Sequence, residues 1–541
     1  MEEQRPTSSS GKTMIKGAAI ISGAGIVVKI IGAFFRIPLT NWIGELGMSY
    51  YQVAYTIYSA LLIMATAGFP VALSRMVSEN IAVGRNRNAH KIFNIFLVLM
   101  TGVGLLFAAI CFFGAESLSN YIGNPLAVKA VRSIAPAIFL VSLLSAYRGY
   151  FQGRQNMNPT ALTEILEQLV RVIVGLSLTG ILIKKGLDSA ASGAAFGATA
   201  GAAAALAFII FIYYLHRNNI KKKLATGDQT CDETSKIIRK ILLISIPIMI
   251  GAEVLPIMNS LDMVIVLRRL QATGWTQEEA QSLYAVISAF CSTLISLPQI
   301  FIQSIAISIV PAIANAAARR SVSDTEENVS LGFKLTMFIA APCAFGMFFL
   351  ARPILYLMYP MRLEGAETAV VPLMILSISI IFLALYNTST GILQAVNRQW
   401  KPVIYLAIGV LVKIPISFIT VGIKALNIRG VCASTVIAFG VAAVLNTIEV
   451  QRSTGVRIDL RVFIKPIATS IAMGLSAMAA QKLFALLIGG RLATVVAVLV
   501  GIIVYAVLAI VCRVITPQDV KMLPKGEKLN ALIGKVVKWE E

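Results

Sequence analysis

Residues 16–79 read KGAAIISGAGIVVKIIGAFFRIPLTNWIGELGMSYYQVAYTIYSALLIMATAGFPVALSRMVSE. An apolar run of membrane-spanning length extends from Gly17 to about Thr40, with Lys29 near its middle and Arg36 seven residues further on. Seven residues is two helical turns, so both cations share one face. A second apolar helix, about Ser49 to Ala82, carries Arg75 and Glu79 one turn apart. A cation inside a bilayer costs about 3 kcal/mol on insertion scales, so such groups face a bundle interior or a wet cavity. This pair of helices is therefore expected to wall a polar pathway, one suited to an anion.

The rest of the chain has the composition of a bilayer protein. Hydrophobic residues make up 57% of the 541 and charged residues 13%, where a soluble chain carries about 25% charged residues. The net charge of +21 comes mostly from cations in short loops between apolar runs, which is how bilayer topology is encoded. Nucleic acid is accordingly not an expected partner. Cys111, Cys231, Cys291, Cys343, Cys432 and Cys512 are scattered singly and read as small core residues, not as a disulfide frame or a metal site. The polar start, MEEQRPTSSSGKT, reads as a retained cytoplasmic tail and not as a signal peptide.

Runs of about 20 apolar residues give fourteen expected spans and an all-α polytopic membrane protein. The first six lie near 16–40, 49–83, 91–113, 127–153, 160–183 and 188–215. Six more lie near 237–267, 281–318, 331–358, 368–397, 402–424 and 429–451, followed by a pair near 462–487 and 492–514. The expected organisation is a tail (1–15), a first lobe (16–216), a polar linker (217–236), a second lobe (237–452), a terminal helix pair (453–515) and a second tail (516–541). Lys and Arg cluster on one side, at Arg85, Arg87, Lys91, Lys221–Lys223, Arg319, Arg320, Arg398, Lys401 and the tail, so both termini are expected in the cytoplasm.

The halves echo each other. Gly149-x-x-Gln152 followed by Leu169-Val170-Arg171 corresponds to Gly391-x-x-Gln394 followed by Leu411-Val412-Lys413, at a constant offset of 242 residues. The offset covers six spans, so the repeat is parallel, about an axis along the membrane normal, and implies two six-helix lobes around a cleft.

Several charges fall inside spans. Glu164, Glu167 and Arg171 lie at i, i+3 and i+7 on one face, and Glu167 with Arg171 is a favourable i, i+4 pair. They read either as a self-neutralised structural cluster or as a network that rearranges during transport. Arg148 either snorkels to the inner interface or joins a binding site. Arg75 has Glu79 as a structural partner or contributes to substrate binding. Glu253 and Asp262 hold a coupling cation, pair with first-lobe cations, or are structural. Gly193, Gly197 and Gly201 form a small-residue ridge for close helix packing. Prolines within spans, Pro70, Pro247 and Pro256 among them, are expected to allow kinks.

Enzyme motifs are not evident. Ser10-Gly11-Lys12-Thr13 imitates the end of a phosphate-binding loop, but Pro6 stands where the earlier glycine is needed and no strand precedes it. His90 and His216 are the two histidines and lie at loop edges, so histidine catalysis or a metal site is not expected. The reading is a transporter without cofactor.

The 16–79 stretch and YRGYFQGRQNMNPTALTEILEQLVRVIVG, from Tyr147, resemble the polysaccharide-transporter branch of the multidrug/oligosaccharidyl-lipid/polysaccharide flippase superfamily. The similarity is to the stage V sporulation protein B type and the MurJ-like lipid II flippase group. It implies export of a lipid-linked sugar precursor, most simply an undecaprenyl-pyrophosphate-linked peptidoglycan precursor (lipid II), by alternating access in the bacterial plasma membrane. Lys29 and Arg36 fall near the paired arginines of the MurJ first helix, with Lys for Arg and a spacing one residue longer. Arg75 lies further along its helix than the family arginine, span eight lacks one before Arg319, and span eleven lacks the acid of the family's sodium site, leaving Asp262 as its remnant. The last two spans correspond to a platform for the lipid tail.

The expected phosphate contacts are Lys29, Arg36 and Arg75, then Arg148 and Arg171; the expected coupling or gating groups are Glu79, Glu164, Glu167, Glu253 and Asp262. Expected partners are the lipid-linked oligosaccharide, membrane lipids and cell-wall synthesis proteins, with a monomer as the working unit. The rivals are a flippase for another lipid-linked polysaccharide or spore-cortex precursor, a drug/cation antiporter, a non-transporting envelope-assembly scaffold, and a membrane-embedded glycosyltransferase.

Overall fold

A computed structural model describes residues 8–225, 228–319, 321–514 and 516. Arg320, residues 1–7 of the first tail and residues 517–541 of the second lie outside the described residues, as do the side chains of Lys221 and Lys223. The described residues form helices and connecting turns, and they divide into two compact units, 1–285 and 286–541.

The first helix, α1 (Ser8–Thr66), has 59 residues. Straight, it would measure about 90 Å, three times the hydrocarbon thickness. It folds back at Gly44 (φ 66°, ψ −167°), a backbone that residues with a Cβ avoid. The rings of Phe35 and Tyr51 lie 6.0 Å apart between centroids, whereas 16 residues of straight helix would hold them about 24 Å apart. Among the described residues, thirteen helices are long and apolar enough to cross a membrane, and the first of these, Gly23–Ala82, runs through the fold-back at Gly44. Counting the two arms separately gives fourteen candidate spans among the described residues, the number that the apolar runs predict.

The second arm stops at Thr66, and α2 (Phe69–Ala82) follows Gly68, whose φ is 78°. Pro70 lies in the first turn of α2, where no amide hydrogen is required. It therefore opens a helix, where the sequence suggested a kink within one. The unit continues with α3 (Asn86–Phe113), α4 (Ala115–Ile122), α5 (Val128–Gly153), α6 (Asn158–Leu182), α7 (Leu187–Ala225), α8 (Thr234–Ala272) and α9 (Gln277–Ala285). Pro247 and Pro256 do lie inside α8. Helix α7 packs on both α5 and α6, and α1 packs on α5, α6 and α8. The expected glycine ridge forms the α6–α7 seam: a Cβ at Gly197 would sit 2.6 Å from the Arg171 carbonyl oxygen, and one at Gly201 would meet the Glu167 carbonyl oxygen.

The polar linker is fastened to the α2–α3 turn. Arg85 Nη2 pairs with Asp232 Oδ1 at 2.8 Å, Asn88 Nδ2 donates to Asp232 Oδ2 at 2.8 Å, and Lys91 Nζ donates to the Asp232 carbonyl oxygen at 2.7 Å. The Arg85 guanidinium, then the Asn88 amide, holds the Asp232 carboxyl below the usual carboxylate range.

The second unit contains α10 (Ser292–Ala318), α11 (Val322–Phe349), α12 (Ala351–Met358), α13 (Leu363–Ala395), α14 (Trp400–Val421), α15 (Asn427–Thr454), α16 (Arg461–Ile488) and α17 (Gly490–Val511). The terminal pair α16–α17 forms a hairpin, with α16 against α11. Lys413 is buried in α14 at 1% exposure. Glu449 of α15 accepts a hydrogen bond from Tyr405 at 2.8 Å, with Lys401 4.0 Å away.

One backbone turn occurs in both units. Gln155 and Asn397 are non-glycine residues at positive φ, 58° and 61°. Asn156 N donates to Phe151 O at 3.0 Å, and Arg398 N donates to Leu393 O at 2.8 Å. Each matched pair is separated by the same 242 residues as the sequence echo.

Candidate functional site

Helices α5 and α6 bring three charges together. Glu167 Oε2 lies 3.1 Å from Arg148 Nη2, and its Oε1 lies 3.0 Å from Arg171 Nη2. Their side chains are 13–15% exposed. Arg148 Nε also donates to Thr163 Oγ1 at 3.0 Å. One carboxylate thus serves two guanidiniums, and the trio keeps one positive charge. Breaking such a buried group is costly, because each remaining charge loses its compensation. Glu164, half-buried one turn earlier, lies in the field of Arg148. The glycine ridge of α7 packs against the backbone of Glu167 and Arg171, which fixes their register.

The second arm of α1 adds a ladder of tyrosines. Tyr51 and Tyr55 stack with centroids 5.9 Å apart, and Tyr55 and Tyr58 lie tilted at 5.9 Å. At i, i+4 and i+7 they share one face. Arg36, on the first arm, sits over the Tyr55 ring at 5.4 Å from its centroid. Arg171 lies within the electrostatic reach of all three tyrosines. The ladder therefore runs from Arg36 to the Arg148–Glu167–Arg171 trio. From α9, Tyr284 reaches Thr56 with its hydroxyl and lies in the fields of both Asp262 and Arg36.

Of the residues singled out in the sequence, Arg36, Arg148, Glu164, Glu167 and Arg171 thus come together, with Asp262 joined through Tyr284. Lys29 is exposed on α1, two turns before Arg36. Arg75 and Glu79 form a separate, exposed pair at 2.8 Å, and Lys240 of α8 closes on the other Glu79 oxygen at 2.9 Å. Glu253 is buried in α8, and its Oε1 has no hydrogen-bond partner.

Sequence reasoning missed Lys240, Thr163, Tyr284 and the tyrosine ladder. Only the ladder left a local trace, since its spacing is visible in YYQVAYTIY, but aromatics at helical spacing usually signal a core. Lys413, the positional counterpart of Arg171, also went unremarked as a buried cation.

Residues 14–317 match the family model described as polysaccharide biosynthesis protein, and residues 281–419 match the model described as MatE. Among curated proteins of Bacillus subtilis, the chain is 27% identical to the uncharacterized membrane protein YabM, over 95% of this chain and 96% of that one. It is 23% identical to stage V sporulation protein B, over 95% and 98%. It is 24% identical to the lipid II flippase MurJ, over 82% and 83%. Among solved structures, lipid II flippase MurJ in an inward closed conformation superimposes with a TM-score of 0.69 at 18% identity, covering 92% of this chain and 99% of that chain. An inward-facing multidrug resistance MATE transporter gives 0.66 at 15% identity, covering 82% and 98%.

Proposed function

The chain belongs to the polysaccharide biosynthesis protein family, the polysaccharide-transporter branch of the multidrug/oligosaccharidyl-lipid/polysaccharide flippase superfamily, and on that premise we propose that it flips a lipid-linked glycan precursor across the cell membrane. The observation that carries the reading is the cationic track from Arg36, along the tyrosine ladder, to a trio with two guanidiniums and one carboxylate. In a medium of low dielectric, such a track attracts and holds a pyrophosphate. Aromatic faces beside it suit the apolar faces of a sugar, and the lipid tail stays in the bilayer.

The substrate we favour is the undecaprenyl-pyrophosphate-linked peptidoglycan precursor, lipid II, moved from the inner to the outer leaflet by alternating access. Support comes from the similarity to MurJ and from Lys29 and Arg36, two cations spaced two turns apart within one apolar run. The similarity to stage V sporulation protein B favours a spore-cortex precursor as the second reading. The same proposal places both termini in the cytoplasm, treats residues 16–216 and 237–452 as the moving lobes, takes Arg75 as an accessory phosphate contact, and assigns coupling or gating to Glu79, Glu164, Glu167, Glu253 and Asp262. It has the chain act as a monomer beside cell-wall synthesis proteins.

The test depletes the native peptidoglycan precursor flippases of a Gram-positive host and supplies the wild type or Lys29→Ala/Arg36→Ala. Precursor translocation is read in intact cells. Rescue by the wild type and loss in an equally expressed double variant is the expected result. Absence of rescue at normal membrane levels moves the substrate to another lipid-linked glycan, and rescue by both forms removes Lys29 and Arg36 from the pathway.

A further inference from the structure

We propose that the first unit carries, at the common end of α5 and α7, a binding site for the headgroup of an anionic phospholipid. A cavity of about 430 Å³ opens there, with Phe151, Arg154 and Asn156 on one side and His216, Asn219 and Lys222 of α7 on the other. Its depth is set by aromatic rings. The long apolar run of α7 ends at Ile212 and is followed by Tyr213 and Tyr214, and the Tyr147 and Tyr150 rings of α5 pack 5.6 and 6.2 Å from Tyr213. Amphipathic rings of this kind collect at the boundary between hydrocarbon and headgroups. The cavity begins within a turn of them, at the level of lipid phosphates.

Its chemistry selects anions. Arg154 is fixed in the wall: its Nη1 donates to Tyr150 Oη at 2.9 Å, and its guanidinium lies 5.4 Å from the Tyr150 ring centroid. Its other nitrogens are left to bind a phosphate in forked geometry. Lys222 adds a second cation on an exposed stretch of α7, and Asn156, Asn219 and His216 supply further polar groups. No carboxylate lines the cavity among the described residues. The Phe151 ring, edge-on to His216 at 6.2 Å, gives an apolar floor for the glycerol end of a lipid. Choline lipids bring their own cation to this spot and are disfavoured, whereas phosphatidylglycerol carries a net negative charge. Basic pockets between spans bind anionic headgroups by this logic. No residue that lines the cavity belongs to the Arg36–Arg171 track, and the site is independent of which glycan is carried. Placing it in the inner leaflet rests on the orientation proposed above.

Native mass spectrometry of the full chain in detergent, given equal dioleoyl-phosphatidylglycerol and dioleoyl-phosphatidylcholine, tests it. The wild type is expected to retain the glycerol lipid at least fivefold over the choline lipid, and Arg154→Gln/Lys222→Gln to bring the ratio near one. Lys222→Gln alone, at an exposed position, keeps the fold and gives an intermediate ratio. Equal retention by the wild type, or an unchanged ratio in both variants, overturns the site. Displacement of the lipid by millimolar glycerol 3-phosphate would make the ligand a soluble phosphate and overturn the lipid assignment. Labelling of Asn219→Cys, with Cys231 and Cys512 replaced by Ser, reports orientation separately. Reaction with an impermeant maleimide in inverted vesicles supports the inner leaflet, and reaction in intact cells overturns the leaflet while the lipid ratio stands.

Discussion

The guanidinium of Arg36 lies 5.4 Å from the centroid of the Tyr55 ring. Both groups are half-buried, and a contact of this kind contributes about 1 kcal/mol. Unlike a carboxylate, the ring holds the cation in place without cancelling its charge, which is what a group awaiting an anionic substrate requires. Tyr55→Leu is expected to reduce translocation several-fold, and Tyr55→Phe, which keeps the ring face, to retain most of it. Wild-type translocation by Tyr55→Leu would reduce the ring to packing.

Glu167 is the shared acid of Arg148 and Arg171. Glu167→Gln strands two buried cations and is expected to cost about 3 kcal/mol of stability. Glu79→Gln touches an exposed pair and is expected to cost less than about 1 kcal/mol. Thermal unfolding of the purified chain, followed by intrinsic fluorescence, compares the two. Similar midpoints for both variants would contradict the burial argument.

A Cβ added at Gly201 meets the carbonyl oxygen of Glu167, which is backbone and cannot step aside. Gly201→Ala is expected to push α7 from α6 and lower the melting temperature by several degrees. Gly102→Ala, in α3 with nothing within 4 Å of the new carbon, is the control and should gain slightly from better helix propensity. The prediction fails if the two variants melt together.

Arg85 and Asn88 depress the Asp232 carboxyl. A group whose folded pKa lies below its unfolded value stabilises fully above the unfolded value, about 3.9, and loses that contribution as pH falls through the folded one. Hydrogen exchange of residues 228–233, corrected for intrinsic rates, should therefore show constant protection from pH 8 to 5.5 and a loss below about pH 4. Asp232→Asn should lose protection at neutral pH. A transition between pH 7 and 6 would implicate a different group.

Gln155 holds a left-handed backbone without being glycine. The conformation costs about 1–2 kcal/mol for a residue with a Cβ, less for asparagine. After the entropy that glycine adds to the unfolded chain, Gln155→Gly should stabilise by about 0.5 kcal/mol, and Asn397→Gly by less. Chemical denaturation read by circular dichroism would expose an opposite order.

The fold was largely legible because its determinants are local. Apolar runs set the crossings, and the glycines at 193, 197 and 201 announced the α6–α7 seam. Half of the site was legible for the same reason, since Glu167 and Arg171 are one turn apart on a single helix. What lay beyond local reading was partnership across the fold. Lys240 reaches Glu79 over 161 residues, and no periodicity in either helix encodes that meeting. Arg148 could equally have snorkelled; only the packing of α5 and α6 turns it toward Glu167.

The turn at Gln155 and its counterpart at Asn397 share a positive φ and a backbone hydrogen bond while differing in side chains. Geometry retained under diverged chemistry is the mark of descent by duplication. A duplication of this kind would place matching turns at one fixed separation, as Gln155 and Asn397 are, and would leave the side chains free to change while the backbone stayed the same.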